Sequence, residues 1–155
     1  GEIRSLNIMT GIMKNKRGLI MGVANDHSIA WGIARTLAAQ GVQLAFTYQG
    51  DALKKRVEPL AKEAGSDILI ECDVSREEDL DKVFTQLEKK WDGLDFLVHA
   101  VAFSNKEELK GRYLDTTLDN FLNTMHISCY SFTSVMRRAA PLMKNGGSAV
   151  TLTYY

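Results

Sequence analysis

Cysteine is scarce in this chain: Cys72 and Cys129 are the only two among 155 residues. Two thiols without CxxC spacing cannot make a disulfide framework, so the expectation is two buried thiols in a reducing compartment. Net charge is also absent. Lys plus Arg number 19, and so do Asp plus Glu. That balance argues against a generic polyanion binder, whose affinity rests on clustered positive charge. No apolar run approaches the roughly 18 residues of a membrane span. No segment joins a basic start to a long apolar stretch as a signal peptide does. Nucleic acid and membrane are therefore not expected partners. The three histidines, His27, His99 and His126, have no partner at metal spacing, so no metal site is expected. Internal repeats, Pro-rich linkers and low-complexity tracts are missing as well.

What is present is a globular composition, with 45% hydrophobic and 25% charged residues. The length is that of one ordinary domain, able to bury roughly 70% of its unfolded surface. Residues 1–8 have no clear period and read as an expression remnant, which would make Met9 the native start. From Gly18 onward, strand and helix patterns alternate. Residues 18–24 form a short apolar run bounded by glycines, as a buried parallel strand does. Ile29, Ala30, Ile33, Ala34, Leu37 and Ala38 then repeat at helical spacing, with Gly41 as the C-terminal cap. Strands are predicted over 42–48, 67–72, 94–102 and 148–154. A second helix ends at Gly65, and Pro59 should kink or break it. A third starts with a capping box, Ser75 with Glu78, and buries Leu80, Val83, Phe84, Leu87 and Trp91. After a polar loop over 104–116, a long helix carries Phe121, Leu122, Met125, Cys129, Phe132 and Met136. Five strands separated by four helices predict an α/β fold, a Rossmann-like doubly wound parallel sheet with right-handed crossovers.

Ligands of such a sheet bind beyond the carboxyl ends of its strands. After the first strand, Gly22 permits a tight turn and Ser28 stands where a helix N-cap would. The helix start offers free N–H groups and partial positive charge to a pyrophosphate. A glycine turn with a serine cap and no ligand fits that spacing equally well. After the second strand comes Gln49, where a dinucleotide fold often has an acid for the adenosine ribose. No arginine stands close to that strand end, which favours NADH modestly over NADPH. After the third strand, Asp73 either accepts from an adenine amine or merely helps to start a helix. After the fourth, the small apolar run from Ala100 lets backbone approach a ribose or nicotinamide. A lone His99 reads more readily as a satisfied core histidine than as a catalyst.

Together these segments resemble one family closely, the NADH-dependent bacterial enoyl-[acyl-carrier-protein] reductases, a divergent branch of the short-chain dehydrogenase/reductases. The carriers are Lys16 to Asn25, Ser28 to Ala34, Phe46 to Gly50, Cys72-Asp73-Val74, His99 to Phe103, Ile127 to Phe132 and Leu152-Thr153-Tyr154. The likeness runs over residues 9–155. It implies that Gly22, Ser28 and Ile29 form the pyrophosphate loop and that Gln49 lies near the adenosine end. It implies adenine contacts from Asp73 and Val74, and Val101 against the nicotinamide ribose. Ser104 would line the acyl pocket, and Tyr154 would be the first of two active-site tyrosines. Ala102 departs from members with glycine beside the nicotinamide. The resemblance further implies NADH as cofactor, an acyl-carrier-protein-bound enoyl substrate, a homotetramer involving the long helix over 117–143, and a cytoplasmic location.

The family's second tyrosine, with a lysine after six intervening residues, belongs beyond Tyr155. The one Tyr-x6-Lys match, Tyr48 with Lys55, falls at a strand–helix junction and reads as chance. Residues 9–155 are therefore expected to be the front part of a single NAD-binding domain, incomplete at its C-terminus and without turnover alone. A non-catalytic NADH-binding short form is the rival from another class. A general ketoreductase is disfavoured, since no Tyr-x3-Lys occurs and the glycine loop differs.

Overall fold

The computed structural model describes residues 13–102 and 118–154. Strands β1 (Arg17–Met21), β2 (Gln43–Tyr48), β3 (Ile68–Glu71), β4 (Phe96–Ala102) and β5 (Ser148–Tyr154) alternate with helices. The helices are α1 (Ile29–Ala39), α2 (Asp51–Glu63), α3 (Glu77–Lys90) and α4 (Leu118–Ala139), the last followed by a 3₁₀ turn, Ala140–Leu142. All neighbouring strands are parallel, in the order β3-β2-β1-β4-β5. The chain runs outward from β1 through β2 and β3, then returns to lay β4 on the other side of β1. The β1–β4 boundary is thus the topological switch point of the doubly wound α/β sheet.

The inner strands β1, β2 and β4 read as nearly unbroken apolar runs because both faces are covered, whereas β5 at the edge has residues 148–151 exposed. Leu19 and Met21 of β1 join Leu80, Val83, Phe84 and Leu87 of α3 and Val135 and Ala139 of α4. Ile20, between them, joins Ala30, Trp31 and Ala34 of α1 and Val57 and Ala61 of α2. The helices close as their sequences suggest. The Ser28 hydroxyl accepts the Trp31 N–H at 3.2 Å. Gly41 takes φ +85° one residue past the α1 cap, the left-handed conformation that ends helices.

Four details differ from expectation. Ser75 does not cap α3, which starts at Glu77 without a side-chain cap. The Ser75 N–H and hydroxyl both donate to the Asp73 carboxylate, at 3.0 and 2.6 Å, so the hydroxyl is already engaged. Pro59 does not break α2, which runs through it. Pro59 and Lys55 are both exposed, so water can reach the Lys55 carbonyl that lacks its i+4 donor. Of the two thiols only Cys72 is buried; Cys129 is exposed. Its position follows from the fourth difference. The fully buried positions of α4 are Ser128, Ser131, Ser134, Val135 and Ala139; of the expected stripe, Phe132 and Met136 are half-buried against His99 and the core, while Leu122 is 55% exposed. Small residues let the helix lie close over the sheet, and their hydroxyls find partners there.

Candidate functional site

The sheet's carboxyl edge is pinched at the switch point. Gly22 follows β1 with φ +94°, and a Cβ built there would lie 1.3 Å from the Ala100 carbonyl oxygen. Only glycine allows β1 and β4 to approach this closely. Beyond the pinch the chain folds into a compact turn. The Asn25 side chain accepts the His27 N–H at 2.8 Å, and the Ser28 hydroxyl donates to the Asn25 carbonyl at 2.9 Å. The turn delivers the chain into α1, whose first turn contains no acidic residue. The positive end of its dipole is therefore not neutralised from within the helix.

A cleft opens at this edge between the ends of four strands. Gly22, Val23 and Ala24 line it from β1, and Thr47, Tyr48 and Gln49 from β2 with Leu53 of α2. Cys72 and Val74 close it beyond β3, and Ala100 forms its wall at β4. The structure thus gathers three expected residues, Gly22, Gln49 and Val74, in one cleft. Ser28 and Ile29 stand at the α1 start beside it, outside the lining; Ile29 is 63% exposed. Asp73 is also outside the lining. Its N–H donates to Asp79 at 2.8 Å and its carboxylate holds Ser75, so it is occupied in building the turn before α3.

Val101 and Tyr154 are placed by backbone register. Val101 pairs with Thr153 and Ala102 with Tyr154, so both stand at the carboxyl ends of β4 and β5. Their side chains, and Ser104 with the loop around it, lie outside the described residues, as do residues 1–8 and Met9. Sequence reasoning assigned no role to Thr47, Tyr48, Leu53 or Cys72, while Ala100 opens the small apolar run it expected to allow close backbone approach. Thr47 carried a signal, being a polar residue just before the end of β2; it is buried to 2% exposure. The Lys54 ammonium lies 6.0 Å from the Tyr48 ring centroid, within cation–π range.

The electrostatics of the cleft wall suit binding rather than thiol chemistry. Burial, reinforced by the Asp79 and Asp73 charges, pushes the Cys72 thiol up to about 12, so it stays protonated and inert. His99 is fully buried one residue before the pinch. Its Nδ1 lies 2.9 Å from Thr151 Oγ1 and its Nε2 2.9 Å from Ser131 Oγ. Burial pulls it down to about 4, so the ring is neutral. This is the satisfied core histidine that the sequence suggested. Among the described residues no helix is long and apolar enough to cross a membrane, and no three acidic, histidine or cysteine side chains group as a metal site would need.

A Cβ-free cradle beside a helix N-terminus, at the switch point of a parallel sheet, is the arrangement that admits a dinucleotide pyrophosphate. Comparison with known proteins points the same way. The family model described as enoyl-(acyl carrier protein) reductase matches residues 22–155. The enoyl-[acyl-carrier-protein] reductase [NADH] 2 of Rhizobium meliloti is 62% identical over 146 residues, which are 94% of this chain and 54% of that protein. The crystal structure of FabI from Candidatus Liberibacter asiaticus superposes with a TM-score of 0.81 at 55% identity, over 92% of this chain and 55% of that one. The Anaplasma phagocytophilum reductase, crystallised in complex with NAD, gives 0.79 at 57% identity, over 93% of this chain and 55% of that one. The chain spans about half the length of the curated relatives it matches. With a family match across most of its residues and this sheet, the chain belongs to the enoyl-(acyl carrier protein) reductase family.

Proposed function

We propose that the protein to which this chain belongs is an NADH-dependent enoyl-[acyl-carrier-protein] reductase, which reduces the trans-2 double bond of enoyl thioesters in fatty acid biosynthesis. The observation that carries the reading is the pinch at Gly22 opening onto the α1 N-terminus, inside a chain 62% identical to a curated reductase of that activity. Gly22, Ser28 and Ile29 surround the pyrophosphate at the start of α1. Gln49 faces the adenosine end, with Val74 against the adenine and Asp73 shaping the turn beside it. Val101 stands by the nicotinamide ribose and Ser104 by the acyl chain.

NADH, when bound, supplies a hydride to the β-carbon of the substrate. The electron pair of the double bond then moves toward the thioester, and charge grows on its carbonyl oxygen. A tyrosine hydroxyl hydrogen bond in a water-poor pocket stabilises that oxygen, with Tyr154, at the end of β5, as the first of the two active-site tyrosines, and a proton delivered to the α-carbon completes the saturated chain. Gln49 in the cleft, with no arginine among its lining residues, supports NADH over NADPH.

The finer features belong to the same reading. The working unit is a cytoplasmic homotetramer that receives its substrate on acyl carrier protein. Leu118, Leu122 and Tyr130, 70%, 55% and 53% exposed along α4, support a subunit contact there. Native mass spectrometry of the full-length protein tests the tetramer.

The activity test is steady-state oxidation of NADH by the full-length protein with a crotonyl thioester. Turnover that needs both substrates and prefers NADH to NADPH supports the reading. NADH binding without turnover would instead favour a non-catalytic dinucleotide-binding protein.

A further inference from the structure

His99 sits where the cofactor cleft, the long helix and the last strand meet. In the sheet it pairs with Met21 of β1 on one side and Thr151 of β5 on the other. Met21 immediately precedes Gly22, and Ala100, next after His99, is the residue whose carbonyl fills the space a Gly22 side chain would need. The imidazole reaches two further elements, Thr151 Oγ1 and Ser131 Oγ, each at 2.9 Å. The Ser131 hydroxyl donates to the Ser128 carbonyl at 3.2 Å. Its oxygen therefore accepts from His99 Nε2–H, and Nδ1 accepts from the Thr151 hydroxyl, a tautomer assigned from the network. The Phe132 ring packs on the imidazole at 5.5 Å between centroids. An apolar side chain would fill this core position without the cost of burying a polar ring. With His99 and Ser131 fully buried, Thr151 exposed on β5 and both ring nitrogens satisfied, such a network instead specifies one arrangement of the elements it joins.

We propose that His99, through Thr151 and Ser131, is a positioning residue that locks β5 and α4 against the cofactor edge of β4, so that Tyr154 stands at a fixed register beside the reacting end of the site. Thr151 lies three residues before Tyr154, and the register carries directly through Leu152 and Thr153 to it. A slip of one residue along β5 would break the imidazole–hydroxyl bond and turn every β5 side chain to the opposite face. The adenosine half of the cleft takes nothing from β5 or α4. Loosening the lock should therefore leave cofactor affinity intact while misplacing the group that meets the substrate.

This inference rests on the reductase reading. It is tested in the full-length protein with Thr151→Val, Thr151→Ser and Ser131→Ala, measuring NADH Kd by fluorescence and kcat with a crotonyl thioester. Thr151→Val and Ser131→Ala should each lower kcat by roughly tenfold or more, since small misplacements of reacting groups are costly. NADH Kd should stay within about twofold in both, and Thr151→Ser, which keeps the hydroxyl, should restore kcat. Unchanged kcat in both variants, or NADH affinity and kcat falling together, would overturn the positioning role while leaving the activity intact. A wild-type protein without enoyl turnover would overturn the reductase reading, and the positioning role with it.

Discussion

At the residue scale the site depends on one absent side chain and one buried ring. Gly22 was legible as a turn glycine from its place after an apolar run. The reason it tolerates no substitution was not, because the obstructing carbonyl belongs to Ala100 on a strand far along the chain. Gly22→Ala should destabilise the full-length protein by about 3 kcal/mol or more, as a forced left-handed alanine meeting backbone must. Chemical denaturation measures this, and a loss under about 1 kcal/mol would mean the pinch relaxes easily. His99 makes a pH prediction whose sign is fixed by burial. Its folded-state value is pulled below the ordinary 6.5 to about 4. The unfolded chain therefore takes up the proton first, and stability falls as pH falls through that window. The full effect is about 3 kcal/mol. Denaturation midpoints of wild type and His99→Gln, compared across the window, should show the steeper acid loss in wild type. Parallel curves would contradict a neutral buried imidazole.

At the scale of elements, strand order and helix placement were readable because each strand is an apolar run and each helix has its own period. The α4 face was not. Hydropathy selected Phe132 and Met136, which are half-buried, together with Leu122 and Cys129, which are exposed, whereas the fully buried positions include Ser128, Ser131 beside His99 and Ser134 beside Glu77. A serine stripe scores as polar unless the hydrogen-bond partners across the interface are known. Those partners also join α4 to α3. Glu77 accepts from Tyr130 at 2.9 Å, Ser134 at 2.8 Å and Arg138 at 2.6 Å. These bonds, Ser134 first, hold its carboxyl down at about 2. The stability Glu77 contributes is present above its ordinary 4.5 and lost as pH falls through about 2. Glu77→Gln should lower Tm at neutral pH, and its difference from wild type should shrink across that acid window. A constant difference would mean that the amide keeps the same bonds. At the start of α1, Ser28→Ala should cost about 1 kcal/mol and Ser28→Gly only a few tenths, the pattern of an N-cap. Equal losses in the two variants would mean that the α1 start is held otherwise.

For the molecule as a whole, the doubly wound sheet follows from the alternation of periods, and the switch point follows from the sheet. The cleft's lining followed only partly. Gln49 and Val74 were visible because they stand just after strands, whereas Leu53 enters from the first turn of α2. Family membership sharpens what this geometry is for, since the cleft can seat a dinucleotide without revealing what the dinucleotide reduces. The central claim is that this sheet carries NADH into a hydride transfer to an enoyl thioester. The full-length protein, given NADH deuterated at the transferring position and a crotonyl thioester, tests it by mass spectrometry of the product. The account predicts a saturated acyl chain with the label on its β-carbon. A crotonyl thioester recovered unchanged, or a reduced product without the label at that carbon, would contradict it.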